Sequence, residues 1–277
     1  MRAEQRARRD AFLAVIGARP VVMGILNLTP DSFSDGGRYV SMEAALSHGK
    51  QIAAAGCDII DVGGESTRPG ALPISEDEEL ARVESIFAEL AFKLEVPLSI
   101  DTYKSKIAAR AVELGAIVIN DVWGLQKDPL MAATVAATEA AVVIMHNRAE
   151  KDGAIDILAD IRGFFTRSLA LAEGAGIPRS RIILDPGVAF GKTARQNVEV
   201  LRHLGELIEF GCPILVGTSR KAFLGSLSER QIEAQFVGAI AATLAAYVAG
   251  AALFRVHDVA EQVAALKVFH TIRSAPI

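Results

Sequence analysis

Eight short, β-branched apolar runs recur along the chain, each followed by a longer stretch with helical spacing. They are VVMGIL (21–26), DIIDV (58–62), PLSI (97–100), AIVI (116–119), AVVIM (141–145), RIIL (181–184), PILV (213–216) and AALFRV (251–256). Gly, Pro, Asp or Asn bounds each run, which fits strands buried on both faces. The intervening segments read as helices; EDEELARVESIFAELAF (76–92) carries its acidic residues in the first turn. Four helical stretches pass into the next run through glycine (AAAGCDII, VELGAIVI, IEFGCPIL, YVAGAALF), the residue that suits the left-handed position after a helix. With no linker or low-complexity segment between them, eight βα units predict a single α/β domain over residues 1–277. The expected form is a closed parallel (β/α)8 barrel with a short N-terminal helix. A doubly wound sheet is the competitor, and the first strand lacks the Gly-rich turn that would favour it.

Composition narrows the function. Hydrophobic residues make up 51% and aromatics 6%, so the core is aliphatic, and a net charge of −4 offers no basic field to nucleic acid or an anionic membrane. Phosphate recognition, if any, is confined to one pocket. Cys57 and Cys212 lack metal or redox spacing and sit in apolar contexts, which reads as a reducing, cytoplasmic compartment. The uncharged stretch 236–254 is broken at Gly250 and reads as a buried helix followed by a strand, not as a membrane span.

In such a barrel the chemistry gathers at the C-terminal ends of the strands. Those ends carry Asn27, Asp61, Asp101, Asn120 with Asp121, His146, Asp185, Ser219-Arg220-Lys221, and Arg255 with His257. A lone Asp or Asn there is often a cap or turn former, but cations are not N-caps. Asp101, Asn120, Asp185 and Lys221 offer the mixed donors and acceptors that suit a flat heterocycle with several N–H and C=O edges. Arg255, His257 and Asn27 lie on neighbouring strands, within reach of Arg68, and form a candidate anion site. A phosphorylated heterocycle is the ligand class that follows. GVAFGKT (187–193) resembles a phosphate-binding P-loop, but three residues separate its glycines where four are required; it reads as the sixth βα loop, with Thr193 near a helix start.

Seven motifs, one per loop and in order, resemble the dihydropteroate synthase family: GILNLTPDSFSDGG (24–37), DIIDVGGESTRPG (58–70), SIDTYK (99–104), INDVWG (119–124), ILDPGVAFGKT (183–193), GTSRK (217–221) and FRVHDV (254–259). The resemblance implies condensation of 6-hydroxymethyl-7,8-dihydropterin pyrophosphate with 4-aminobenzoate, releasing pyrophosphate in folate biosynthesis, with sulfonamides as mimics of the second substrate. It implies a pterin pocket of Asp101, Asn120, Asp185, Ser219 and Lys221. Arg255 and His257 become the diphosphate site, helped by Thr67 and Arg68, and Asn27 a Mg²⁺ ligand. Phe33 and Pro69 join Thr67 and Arg68 on two loops that close over diphosphate and aminobenzoate, and a homodimer is implied, with helices 230–249 and 258–273 as its surface. At its ordinary pKa of about 6.5, His257 would add charge to the diphosphate site as pH falls.

Two positions depart from the family pattern: Ala222 stands where many members have Ser, and His146-Asn147-Arg148 replaces the usual HMQG run. Two other readings compete, a pterin-dependent methyltransferase barrel and a non-catalytic pterin-binding protein. The first has no need of the TPDSFSDGG and STRPG loops together with the RVH site; pyrophosphate release separates the second. If Phe33 grips the arylamine, Phe33→Ala raises the KM for 4-aminobenzoate about tenfold or more and leaves that for the pterin within about twofold. Steady-state kinetics with each substrate varied in turn reads the difference, and equal effects refute the clamp.

Overall fold

A computed structural model describes residues 1–29, 41–66, 72–227 and 231–275. The eight apolar runs are eight parallel strands: β1 (Val21–Asn27), β2 (Ile59–Gly63), β3 (Leu98–Asp101), β4 (Val118–Asp121), β5 (Ala141–Met145), β6 (Ile182–Asp185), β7 (Leu215–Val216) and β8 (Leu253–Val256). Their order in the sheet is β6-β5-β4-β3-β2-β1-β8-β7. The seam closes where Leu184 N–H donates to Pro213 O at 2.9 Å and Leu184 bridges Ile214, which makes the sheet a (β/α)8 barrel. The seventh run, expected over 213–216, is shorter as a strand because Pro213 has no N–H for a ladder bond.

The helices between strands follow the expected punctuation. They are α2 (Met42–Ala54), α3 (Glu76–Lys93), α4 (Ser105–Leu114), α5 (Met131–Thr138), α6 (Ile157–Gly174), α7 (Ala194–Arg202), a short α8 (Ala222–Gly225), α9 (Gln231–Val248) and α10 (Val259–Ser274), after an N-terminal α1 (Ala3–Val15). Ser75 caps α3 by accepting from Glu78 N–H, and Thr193 with Gln196 forms a reciprocal capping box on α7. Gly115 and Gly250 take φ of +130° and +101° after α4 and α9, the conformation that only glycine enters freely.

Two cores result. Outward-facing strand residues such as Leu26, Ile60, Ile100, Ile144 and Leu184 pack against the helices. Inward-facing Met23, Ile59, Val118, Val143, Ile183, Leu215 and Leu253 fill the barrel. Phe12 of α1 joins that inner cluster, and Gln5 donates to Val112 O and Ala116 O at 2.8 and 2.6 Å. The expected N-terminal helix therefore stoppers the bottom of the barrel, leaving the opposite end for ligands.

Candidate functional site

Side chains alternate across a strand, so positions two or four beyond the interior apolar layer also point inward. Asn27, Asp61, Asp101, Asn120, Met145, Asp185 and Arg255 hold those positions. Asn27 is level with Gly63, Gly63 with Asp101, Asp101 with Asn120, and Met145 with Asp185. Period 2 also sorts the expected pair on β4: Asn120 faces inward, while Asp121 accepts from Trp123 and Leu125 N–H and shapes its own loop.

A buried ion network spans the ring. Arg255 donates through Nε to Asp61 Oδ2 and through Nη2 to Asp101 Oδ2, both at 2.7 Å, and Asn120 Nδ2 donates to the same Asp61 oxygen at 2.8 Å. Burial drives the Asp101 carboxyl well above the usual carboxylate range, against the pull of Arg255, and nearby Asp61 pushes the same way. Asp61 Oδ1 and Asp101 Oδ1 are buried with no partner among the described residues. Buried acceptors of that kind are where a ligand N–H gains most.

Above this network lie two joined compartments. Ile25, Asn120, Val122, Met145, Asp185 and Val188 line the inner one, with Phe190, Ser219, Lys221, Arg255 and His257. Those last five also line the outer one, with Asn27, Thr29, Glu65, Ser66, Asp101, Arg220 and Ala222. The two expected groups therefore interpenetrate. Asp101 sits on the outer side, and Arg255 and His257 border both. Apolar walls with convergent polar groups are the usual make-up of a small-molecule pocket.

The inner compartment is electrostatically tuned. Burial raises Asp185 to about 6, while the Gly187 N–H at 2.7 Å and the charges of Lys192, Lys221 and Arg255 draw it down. The Lys221 ammonium lies 4.4 Å from the centre of the Phe190 ring. Lys192 is buried, which lowers it to about 7 despite Asp185 and Asp160. His146 lies behind Met145 with a pKa lowered to about 3 by burial and by Lys192. Strand 5 thus meets the compartment through Met145, and the unusual run after it is half-buried and turned to α6: Arg148 donates to Asp160 at 2.8 Å.

His257 corrects one expectation. Burial, then the charges of Arg255, Arg220 and Lys221, lower it to about 3, so the free ring stays neutral at physiological pH and does not gain charge on mild acidification. Its backbone N–H donates to Ser219 Oγ at 3.1 Å, and Nδ1 lies 3.3 Å from the same hydroxyl. Ser219 therefore orients His257 as well as bordering both compartments. On the second loop, Lys104 donates to Glu65, to Glu79 Oε2 and to Ile74 O, tying both ends of the segment to β3. Phe33, Thr67, Arg68 and Pro69 lie outside the described residues.

Asn27 fits part of a magnesium site. A Cβ at Gly63 would stand 3.7 Å from Asn27 Oδ1 and 3.6 Å from Asp101 Oδ2, so the bare glycine leaves oxygen-lined room. No group of three or more His, Cys, Asp or Glu among the described residues makes a metal cage. A few hard oxygen donors, completed by water and substrate phosphates, suit Mg²⁺ and not a transition metal.

Residues 23–257 match the family described as pterin binding enzyme. The dihydropteroate synthase of Clostridium beijerinckii is 44% identical over 253 residues, 91% of this chain and 94% of that protein. A structure of the Xanthomonas albilineans dihydropteroate synthase with 4-aminobenzoic acid superposes with a TM-score of 0.88 at 44% identity, covering 93% of this chain and 94% of that one. Another from the same organism, in complex with 7,8-dihydropteroate, gives 0.84 at 42% identity, with 93% and 95% covered.

Sequence reasoning named the ring but not all of its parts. Asp61 stands at the end of the second run in the sequence, where it carries no assigned role. Phe190 and Lys192 were set aside with the rejected P-loop, although a lysine following an apolar loop was the available signal. The state of His257 yields a direct test. A basic group held at about 3 takes its proton only below that value. In the free protein the His257 Cε1–H resonance should therefore keep its neutral position from about pH 8 to about pH 5. A midpoint near 6.5, the ordinary value of a histidine, is the contrary result.

Proposed function

The chain belongs to the pterin-binding enzyme family, and from that premise we propose its reaction. It is a dihydropteroate synthase, a transferase that joins 6-hydroxymethyl-7,8-dihydropterin pyrophosphate to 4-aminobenzoate to give 7,8-dihydropteroate and pyrophosphate. One observation carries this reading: an inner compartment with Asn120, Asp185 and Lys221 among apolar walls opens directly onto an outer one with Asn27, Arg220 and His257. The first suits a flat heterocycle with several N–H and C=O edges. The second has room and cations for a diphosphate and an arylamine.

The C–O bond between the exocyclic methylene and the diphosphate breaks with its electron pair leaving on oxygen. The aniline nitrogen lone pair forms the new C–N bond, and the proton released from nitrogen passes to the diphosphate or to water. Asp185 is placed to accept from the 2-amino and ring N–H groups together, and Asp101 Oδ1 awaits a further donor. Lys221 donates to the heterocycle's acceptors and adds positive charge between the compartments. Arg255 keeps Nη1 clear of Asp61 and Asp101 for an oxygen of the diphosphate, while neutral His257 donates from Nε2. The arylamine needs placement and dryness more than activation, since the protein adds no nucleophile of its own. Mg²⁺, held by Asn27 together with diphosphate oxygens and water, would supply charge neutralisation of the leaving group.

Two further parts of the reading concern the whole protein. Among the described residues no helix is long and apolar enough to cross a membrane, and both cysteines are buried and free, in keeping with a cytoplasmic enzyme. Val237, Val248, Val268 and Ile272 on α9 and α10 are 58–69% exposed, an apolar surface that a second copy of the chain would cover.

The deciding assay follows pyrophosphate release from the dihydropterin substrate with Mg²⁺, with and without 4-aminobenzoate. Release that depends on the arylamine and yields dihydropteroate is expected. Tight pterin binding without that product would point to the non-catalytic reading. Sedimentation equilibrium at micromolar concentration should report a dimer, and a monomer throughout would remove the second copy.

A further inference from the structure

Behind the heterocycle compartment lies a lysine that the reaction leaves unused. Lys192 is 2% exposed, and its Nζ has three acceptors: His146 Nδ1 at 2.7 Å, Gly187 O at 2.8 Å and Phe190 O at 3.1 Å. In its protonated form Nζ has three hydrogens, and each then has an acceptor. His146 can serve because its ring is neutral: Nε2 lies 2.9 Å from Asp160 Oδ2, so that nitrogen carries the proton and Nδ1 accepts.

Each carbonyl that Lys192 holds is one step from a group of the compartment. Gly187 N–H donates to Asp185 Oδ1 at 2.7 Å, so the peptide whose oxygen Lys192 grips belongs to the residue that orients the carboxylate. Gly187 takes φ of +65°, and a Cβ there would run into His146 O and stand 3.3 Å from Lys192 Nζ, so the turn is wedged against the end of β5. On the other side, the Phe190 ring is the surface against which the Lys221 ammonium rests.

We propose that Lys192 is a positioning residue for heterocycle binding: it pins the sixth βα loop at Gly187 and Phe190, so that the Asp185 carboxylate and the Lys221 ammonium meet the ligand edge in one fixed geometry. The proposal rests on the pterin reading of the inner compartment. Filling alone does not explain a buried ammonium here, because an apolar side chain of the same length would occupy the space without the cost of desolvating a charge. What the ammonium adds is three directed bonds between two loops. The diphosphate end should depend on it much less, because Asn27, Arg255 and His257 come from β1 and β8 and make no bond to this loop among those described, and the loop touches that end through Phe190 and the Lys221 that rests on it.

The test is calorimetric titration of wild type and Lys192→Met with two probes, unreactive pterin (2-amino-4-oxopteridine) and inorganic pyrophosphate with Mg²⁺. Pterin affinity should fall about tenfold or more in the variant, with pyrophosphate affinity unchanged within about twofold. A uniformly loosened protein would lose both together, and that result, or unchanged pterin affinity, overturns the proposal. Should the Met variant lose its native circular dichroism, Lys192→Gln, whose amide keeps at most two of the three bonds, takes its place, with a pterin loss of about threefold or more and pyrophosphate affinity again unchanged within about twofold. If wild type itself holds pyrophosphate but no pterin, the functional reading fails and this proposal falls with it. Pterin binding by wild type with no selective loss in the variant removes Lys192 alone.

Discussion

The guanidinium of Arg255, buried between Asp61 and Asp101, is the interaction on which the ligand end of this barrel depends. Removing one partner of a buried pair leaves an ion uncompensated at a cost of about 3–5 kcal/mol. Arg255 therefore needs β8 to close beside β1 and to face β2 and β3 across the barrel. Asn120 extends the tie to β4 through Asp61. Burial raises Asp101 first, and the second carboxylate, Asp61, adds to it against the single guanidinium, while Asp101 Oδ1 has no partner among the described residues. A ligand that brings N–H groups completes what the protein leaves open.

Much of this was legible in the chain because a strand has period 2 and a barrel concentrates chemistry at one end. Locating the apolar runs was enough to place Asn27, Asp101, Asn120, Asp185 and Arg255 at the strand ends. Asp121 shows the limit of the strand-end rule. One step beyond Asn120, it faces the other way and serves its loop. The condition of the charges was not legible. Arg255 reads as an anion ligand until two carboxylates from distant segments are found on it. His257 reads as an ordinary imidazole until burial beside three cations lowers it to about 3. Both effects depend on neighbours that lie far away in sequence.

Lys192 was missed for a related reason. Spacing excluded a phosphate loop, and the lysine was set aside with the motif. Its significance lies in having every donor engaged inside the protein, which only the packing of the fifth loop against the sixth reveals. The same packing accounts for the unusual residues after His146. Arg148 pairs with Asp160, which also meets the His146 ring, so the departure from the family run is absorbed behind the compartment. Ala222 is different, because it lines the outer compartment itself.

Charge is distributed along the barrel axis in the sense the reaction requires. Asp61, Asp101 and Asp185 lie deep, partly compensated by Arg255, while Arg220, Lys221 and His257 gather nearer the rim. As the methylene–oxygen bond lengthens, positive charge grows on the dihydropterin and negative charge on the departing diphosphate. In the proposed reaction the deep carboxylates would oppose the first charge and the rim cations the second. A neutral His257 is consistent with this arrangement. A neutral ring adds no fourth positive charge beside Arg255, Arg220 and Lys221 in the free protein. When the diphosphate arrives, its own charge raises the affinity of that ring for a proton.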